Sequence, residues 1–180
     1  MRNISRWMVA GALLAATTAS ANEDADFGVA PVAALRQADF SAPTPRTVPG
    51  AKTIGTAELR NRLRGPADPP LLLFDVLGGA QHDSLPGAIW LPGAGRGNGF
   101  DDAVQAQLER LLRAATRGDS GRAMVFFCQG TACWLSYNAA LRAAALGYRE
   151  VYWYRGGLEA WIAAGGALAP LRLSWRKPAP

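Results

Sequence analysis

The chain has 180 residues, a net charge of +5, two cysteines and one histidine. That length suits one domain plus extensions, and no Lys/Arg run reaches the roughly five to eight residues of a nucleic-acid patch, so the charge reads as solvated surface favouring small anionic substrates, not nucleic acid. Two cysteines and the distant His82 fall short of a structural zinc set, and no metal is expected; two thiolates suit soft copper(I), but nothing else in the chain selects for it.

The first residues read as a processing signal. Arg2 and Arg6 form a basic region, Trp7 to Ala16 a short apolar one, and Ala19-Ser20-Ala21 a small-residue cleavage site. The apolar part is far short of the ~20 residues of a membrane span, and no later stretch reaches that length. Cleavage after Ala21 would place residues 22–180 in the periplasm or outside the cell. Losing Arg2 and Arg6 leaves a charge of about +3. Such compartments permit disulfides.

Residues 22–51, with Pro43, Pro45 and Pro49 close together, read as an irregular lead-in placed to wrap a domain at 52–166. Lys52–Ile54 is a short strand. Thr56 caps a helix running to about Arg64, with Leu59 and Leu63 on one face. Leu71–Val76 is a strand buried on both faces, with Asp75 near its C-terminal end, and Gly78-Gly79 opens a loop. Gly87–Pro92 is the next short strand. Gly93–Gly99, with four glycines in seven residues, reads as a mobile loop without the Lys-Ser/Thr of a phosphate cradle. A helix over Asp101–Thr116 follows, with Val104, Leu108, Leu111 and Leu112 at helical spacing. Then come a strand at Ala123–Phe127, a helix at Leu135–Leu146 stopped by Gly147, and a strand at Glu150–Trp153. Gly156-Gly157 is a tight loop, Leu158–Ala164 a short helix, and 167–180 an irregular tail. Strands alternating with helices predict an α/β fold, a parallel sheet covered on both faces.

Both cysteines lie in Phe126-Phe127-Cys128-Gln129-Gly130-Thr131-Ala132-Cys133-Trp134, five positions apart. An apolar strand enters this stretch and a helix leaves it, so Cys128 ends a buried strand at the sheet edge where open α/β sheets bind ligands. The amides of Gln129, Gly130, Thr131, Ala132 and Trp134, with the helix N-terminus, form an anion-binding loop that favours a thiolate. Cys128 therefore reads as a nucleophile, or else as an inert buried cysteine. Cys133 can close a disulfide with it, either as a resolving partner or as a permanent staple. Trp134 reads as a shield, a docking face or plain packing. Arg155, before Gly156-Gly157, is an accessory anion binder or a surface salt bridge. Asp75 points into the site or serves as a structural hydrogen-bonding residue.

Leu72–Val76, Leu85-Pro86-Gly87-Ala88-Ile89 with Leu91-Pro92, Val125–Cys128, Leu146-Gly147-Tyr148 and Gly156-Gly157-Leu158-Glu159-Ala160-Trp161, in this order, resemble the rhodanese domain. The resemblance implies a five-stranded parallel sheet with helices on both faces and a persulfide-carrying cysteine at Cys128. It also makes Asp75 structural. Cys133 stands where rhodanese loops usually carry Arg, and the loop is two residues longer than usual. The tract from Cys133 to Ala140 resembles the exported CxxCW-motif proteins associated with PQQ-dependent catabolism, although Gly130 replaces their first cysteine. That likeness implies a periplasmic redox or PQQ-enzyme partner, and no cofactor beyond this association. The function implied is sulfur transfer or thiol–disulfide chemistry at Cys128 with Cys133 resolving. The alternative is a non-catalytic binding module whose loop is stapled.

Overall fold

A computed structural model of the chain describes residues 23–65 and 69–173. The expected signal, 1–21, lies outside the described residues. In chain order the elements are β1 (Lys52–Thr53), α1 (Thr56–Arg64), β2 (Leu72–Asp75), β3 (Asp83–Ser84), β4 (Ile89–Trp90), α2 (Ala103–Thr116), β5 (Met124–Phe127), α3 (Trp134–Ala145), β6 (Val151–Tyr154), α4 (Gly157–Ala163), β7 (Ala169–Pro170) and β8 (Arg172–Leu173).

Five parallel strands form the centre in the order β1-β6-β5-β2-β4, as the alternating pattern predicts. The tail differs from expectation. Its β8 adds a sixth parallel strand beside β4, and its β7 pairs antiparallel with β3. Leu171, buried between them in sequence, anchors this segment in the core.

Strand periodicity assigns side chains to the two faces. Met124, Phe126 and Cys128 point into one core with α2 and α3, whereas Val125 and Phe127 point into the other with Leu59 of α1 and Leu158 and Trp161 of α4. Phe126 stacks on Phe74 of the neighbouring strand at 5.2 Å between ring centroids. Every residue of β5 is buried, as is every residue of the neighbouring β6, so the strand that leads to Cys128 lies in the enclosed centre of the sheet.

Two local readings are corrected. Thr56 is the first residue of α1, not its cap; Gly55 precedes it, and the Glu23 carboxylate of the lead-in accepts the Thr56 amide at 2.8 Å. The Gly93–Gly99 loop is tied down. Arg142, fully buried on α3, donates to the carbonyls of Gly99 (2.8 Å) and Arg96 (2.6 Å), to Gln105 Oε1 (2.9 Å) and to both Asp102 oxygens (2.7 and 3.1 Å). Asp102 caps α2 through the Gln105 amide and also accepts the Asn98 amide. Burial works to raise the Asp102 carboxyl, but the bonds from Arg142 and from those amides outweigh it and hold it below the ordinary carboxylate value. Gly95 completes the clamp. It lies so close to α3 that a Cβ would collide with the Leu135 carbonyl, while its own carbonyl accepts Asn138 Nδ2 at 2.8 Å.

Candidate active site

Cys128 follows the last residue of β5 and Cys133 immediately precedes α3. They are joined by a disulfide with a Cα–Cα separation of 6.2 Å. The loop between them is held from below by α4. The amides of Leu158 and Glu159 donate to the carbonyls of Cys128 (3.0 Å) and Gln129 (2.9 Å). This approach requires Gly157: its φ is +56°, and a Cβ there would run into the Cys128 carbonyl oxygen. The Gly-Gly pair thus seats the cysteine loop on the start of α4.

The lead-in covers the loop from the other side. Trp134 N donates to Phe40 O (2.9 Å) and Trp134 Nε1 to Pro43 O (3.1 Å), and Thr131 O accepts both the amide and the hydroxyl of Thr44 (3.1 and 2.7 Å). Further along, the Tyr137 hydroxyl bonds the backbone of Val32, Asn138 bonds that of Arg36, and the Arg36 guanidinium sits 4.8 Å from the Trp134 ring. Buried Trp134 is therefore a packing residue under the lead-in and not an open docking face. The amide cradle is altered as well. Cys133 N donates to Gly130 O and Trp134 N to Phe40 O, so the lead-in carbonyl stands where an anion would meet the helix end.

Arg155 is not the surface salt bridge of the alternative reading. It is 2% exposed and holds the lead-in, donating to Thr44 Oγ1 (3.1 Å), Thr44 O (2.9 Å) and Glu23 O (2.7 Å). Burial, with the nearby charge of Arg46, lowers its pKa from the ordinary value. Asp75 is structural: its fully buried carboxylate accepts the Leu77 amide (2.8 Å), Ser84 Oγ (2.5 Å) and His82 Nε2 (3.1 Å), folding the Gly78-Gly79 loop back onto the sheet edge. His82 is thus engaged with Asp75 and packs edge-on against Trp90, rather than standing free on the surface.

The two sulfur-bearing residues differ in access. Cys128 is 1% exposed and Cys133 8%. A cavity of about 420 Å³ lies over the loop, lined by Cys133, Gln129, Gly130 and Ala132, by Phe40 and Ser41 of the lead-in, by Leu77–Gly79, and by Leu135, Arg96 and Glu159. Cys133 lines this cavity and Cys128 lies behind it. Gln129 Nε2 donates to Glu159 Oε1 at 3.2 Å, and Gly130 packs against the same carboxylate. Arg96, whose guanidinium sits 5.2 Å from the Phe40 ring, and Glu159 are site residues that the sequence reading missed. The signal for both was present: Arg96 follows β4 and Glu159 follows β6, at the same C-terminal edge of the sheet. Among the described residues no group of side chains suits a metal ion, and no helix is long and apolar enough to cross a membrane.

Comparison with known proteins converges on the same architecture. The family model described as rhodanese-like domain matches residues 48–164. The thiosulfate sulfurtransferase of Pseudomonas aeruginosa superposes with a TM-score of 0.50 at 19% identity, over 72% of this chain and 22% of that one. The BH2092 protein of Bacillus halodurans gives 0.50 at 22% identity, over 66% and 77%. The chain thus spans under a quarter of the length of the sulfurtransferase, and the likeness is one of fold. No curated protein matches the chain in sequence.

Proposed function

Because the chain belongs to the rhodanese-like domain family, we propose that its two cysteines carry out reductive sulfur transfer. In the dithiol form the Cys128 thiolate attacks the outer sulfur of a sulfane donor, breaking the donor's S–S bond and keeping that sulfur as a persulfide; with thiosulfate as donor, sulfite leaves with the bonding pair. The Cys133 thiolate then attacks the inner Cys128 sulfur. A Cys128–Cys133 bond forms, and the outer sulfur departs as hydrosulfide. The cycle ends in the disulfide state. The observation that carries this reading is that bond: it joins the cysteine at the family's active-site position to a loop partner, beside a cavity at the sheet edge.

Export after cleavage at Ala21 fits the same reading, since an oxidising compartment lets a cysteine pair rest as a disulfide. The likeness of the Cys133–Ala140 tract to the CxxCW proteins supports a periplasmic redox partner, including one that serves PQQ-dependent alcohol oxidation. A second reading, a binding module with a stapled loop, is favoured by one observation: Cys128 is almost completely buried.

Single-turnover chemistry separates the two. The fully reduced protein, mixed with thiosulfate or polysulfide in the absence of reductant, is expected to release sulfide and form protein disulfide in equal amounts. Protein that stays a dithiol, with no sulfide and no mass adduct on Cys128, supports the binding module instead.

A further inference from the structure

Turnover needs the disulfide to be reopened, and the two sulfurs are not equivalent to an incoming thiol. Resting on the reading above, we propose that the bond is opened at Cys133 by a small zwitterionic thiol bound in the cavity over the loop. Cys133 lines that cavity, while Cys128 lies behind it at 1% exposure. A volume of about 420 Å³ falls within the range of small-molecule sites. The cavity presents opposite charges on separate elements: Arg96 on the loop after β4, and Glu159 on α4. Arg96 is held from behind through its own carbonyl by Arg142, and its guanidinium lies over Phe40. Glu159 is oriented by Gln129 Nε2. Such a pair suits a ligand with one carboxylate and one ammonium flanking a thiol: the carboxylate on Arg96, the ammonium on Glu159 and the sulfur toward Cys133.

The step balances. The ligand thiolate attacks Cys133 Sγ, a mixed disulfide forms there, and Cys128 leaves as thiolate with the bonding pair. A second thiolate attacks the ligand sulfur of the mixed disulfide and expels the Cys133 thiolate. Two thiols become one low-molecular-weight disulfide, and their protons end on the protein dithiol. Opening from this side delivers Cys128 in the nucleophilic form that sulfur transfer requires.

The probes are reduced glutathione, a tripeptide thiol whose ammonium and carboxylates flank the sulfur, and 2-mercaptoethanol, an uncharged one. Each is rapidly mixed with the oxidised full chain in the presence of an alkylating agent, and the products are mapped by mass spectrometry. The expected adduct is glutathione on Cys133 with alkylated Cys128. Arg96→Gln and Glu159→Gln are each expected to slow opening by glutathione about tenfold, the loss of one charge-assisted contact, and to leave the 2-mercaptoethanol rate unchanged. Adducts on Cys128, or variants that affect both thiols equally or neither, overturn the inference while leaving the sulfur-transfer reading intact. A bond that resists both thiols and dithiothreitol in the folded protein defeats both.

Discussion

Cys128→Ser is expected to abolish sulfide release, a loss of at least about a thousandfold, whereas Cys133→Ser is expected to halt the reaction one step later, with a stable persulfide on Cys128. The contrast follows from the order of bond making. Without Cys128 nothing attacks the sulfane sulfur. Without Cys133 the first displacement still proceeds, but nothing inside the protein attacks the Cys128 sulfur. Both variants lose the same disulfide, which closes a short loop and contributes about 2 kcal/mol. Any shared drop in stability therefore cancels, and the difference between them reports chemistry. Mass spectrometry after thiosulfate exposure reads it: an added sulfur on the Cys133→Ser protein and none on Cys128→Ser. Equal behaviour of the two variants would remove the distinction between attacking and resolving sulfur.

The largest effect on stability is expected at Asp102, away from the sulfur chemistry. Asp102→Ala should cost about 3–5 kcal/mol in urea denaturation, because it leaves the Arg142 guanidinium buried with its charge uncompensated and also removes the cap of α2. Replacing both members of the pair, Asp102→Ala with Arg142→Met, should recover part of that loss, since the burial penalty goes with the charge. The Asp102 carboxyl is held low in the fold, so its contribution is fully present above the ordinary carboxylate pKa of about 3.9 and is lost as the pH falls through the lower folded value. The gap between wild type and Asp102→Ala should therefore start to close below about pH 4. A gap that stays constant to strong acid would show that the ion pair is not its source. The same substitution frees the Asn98 amide, so opening by glutathione should weaken along with stability.

The elements that frame the site are legible in the sequence because they rest on local patterns. Short apolar runs bounded by Gly and Pro mark β2 and β5, and helical spacing marks α2. The strand-loop-helix passage through Cys128 and Cys133 follows from these, as does the reach of one cysteine to the other. What escapes the reading is held by long-range bonds between single side chains and distant backbone. Nothing periodic announces that Arg155 will anchor Glu23 and Thr44, or that Phe40 will supply its carbonyl to the first amide of α3. The glycine loop reads as mobile because its composition is visible and Arg142, about forty-five positions later, is not visible as its clamp. Arg96 and Glu159 are missed for a related reason: each belongs to a different crossover, and only the sheet brings their loops to one edge.

The lead-in links these observations. It bonds the cysteine loop at Thr131, occupies the end of α3 and forms one wall of the cavity with Phe40 and Ser41. A site built this way excludes bulk solvent from the inner sulfur and leaves Cys133 as its point of entry, an arrangement suited to small thiols and poorly suited to large ones.

The equilibrium reduction potential of the Cys128–Cys133 bond, titrated in the folded protein against a dithiol buffer, separates a cycling pair from a permanent staple. A cycling pair should fall between about −120 and −270 mV, the span of catalytic dithiols, whereas a value below about −300 mV would mark a structural staple and contradict the proposed chemistry.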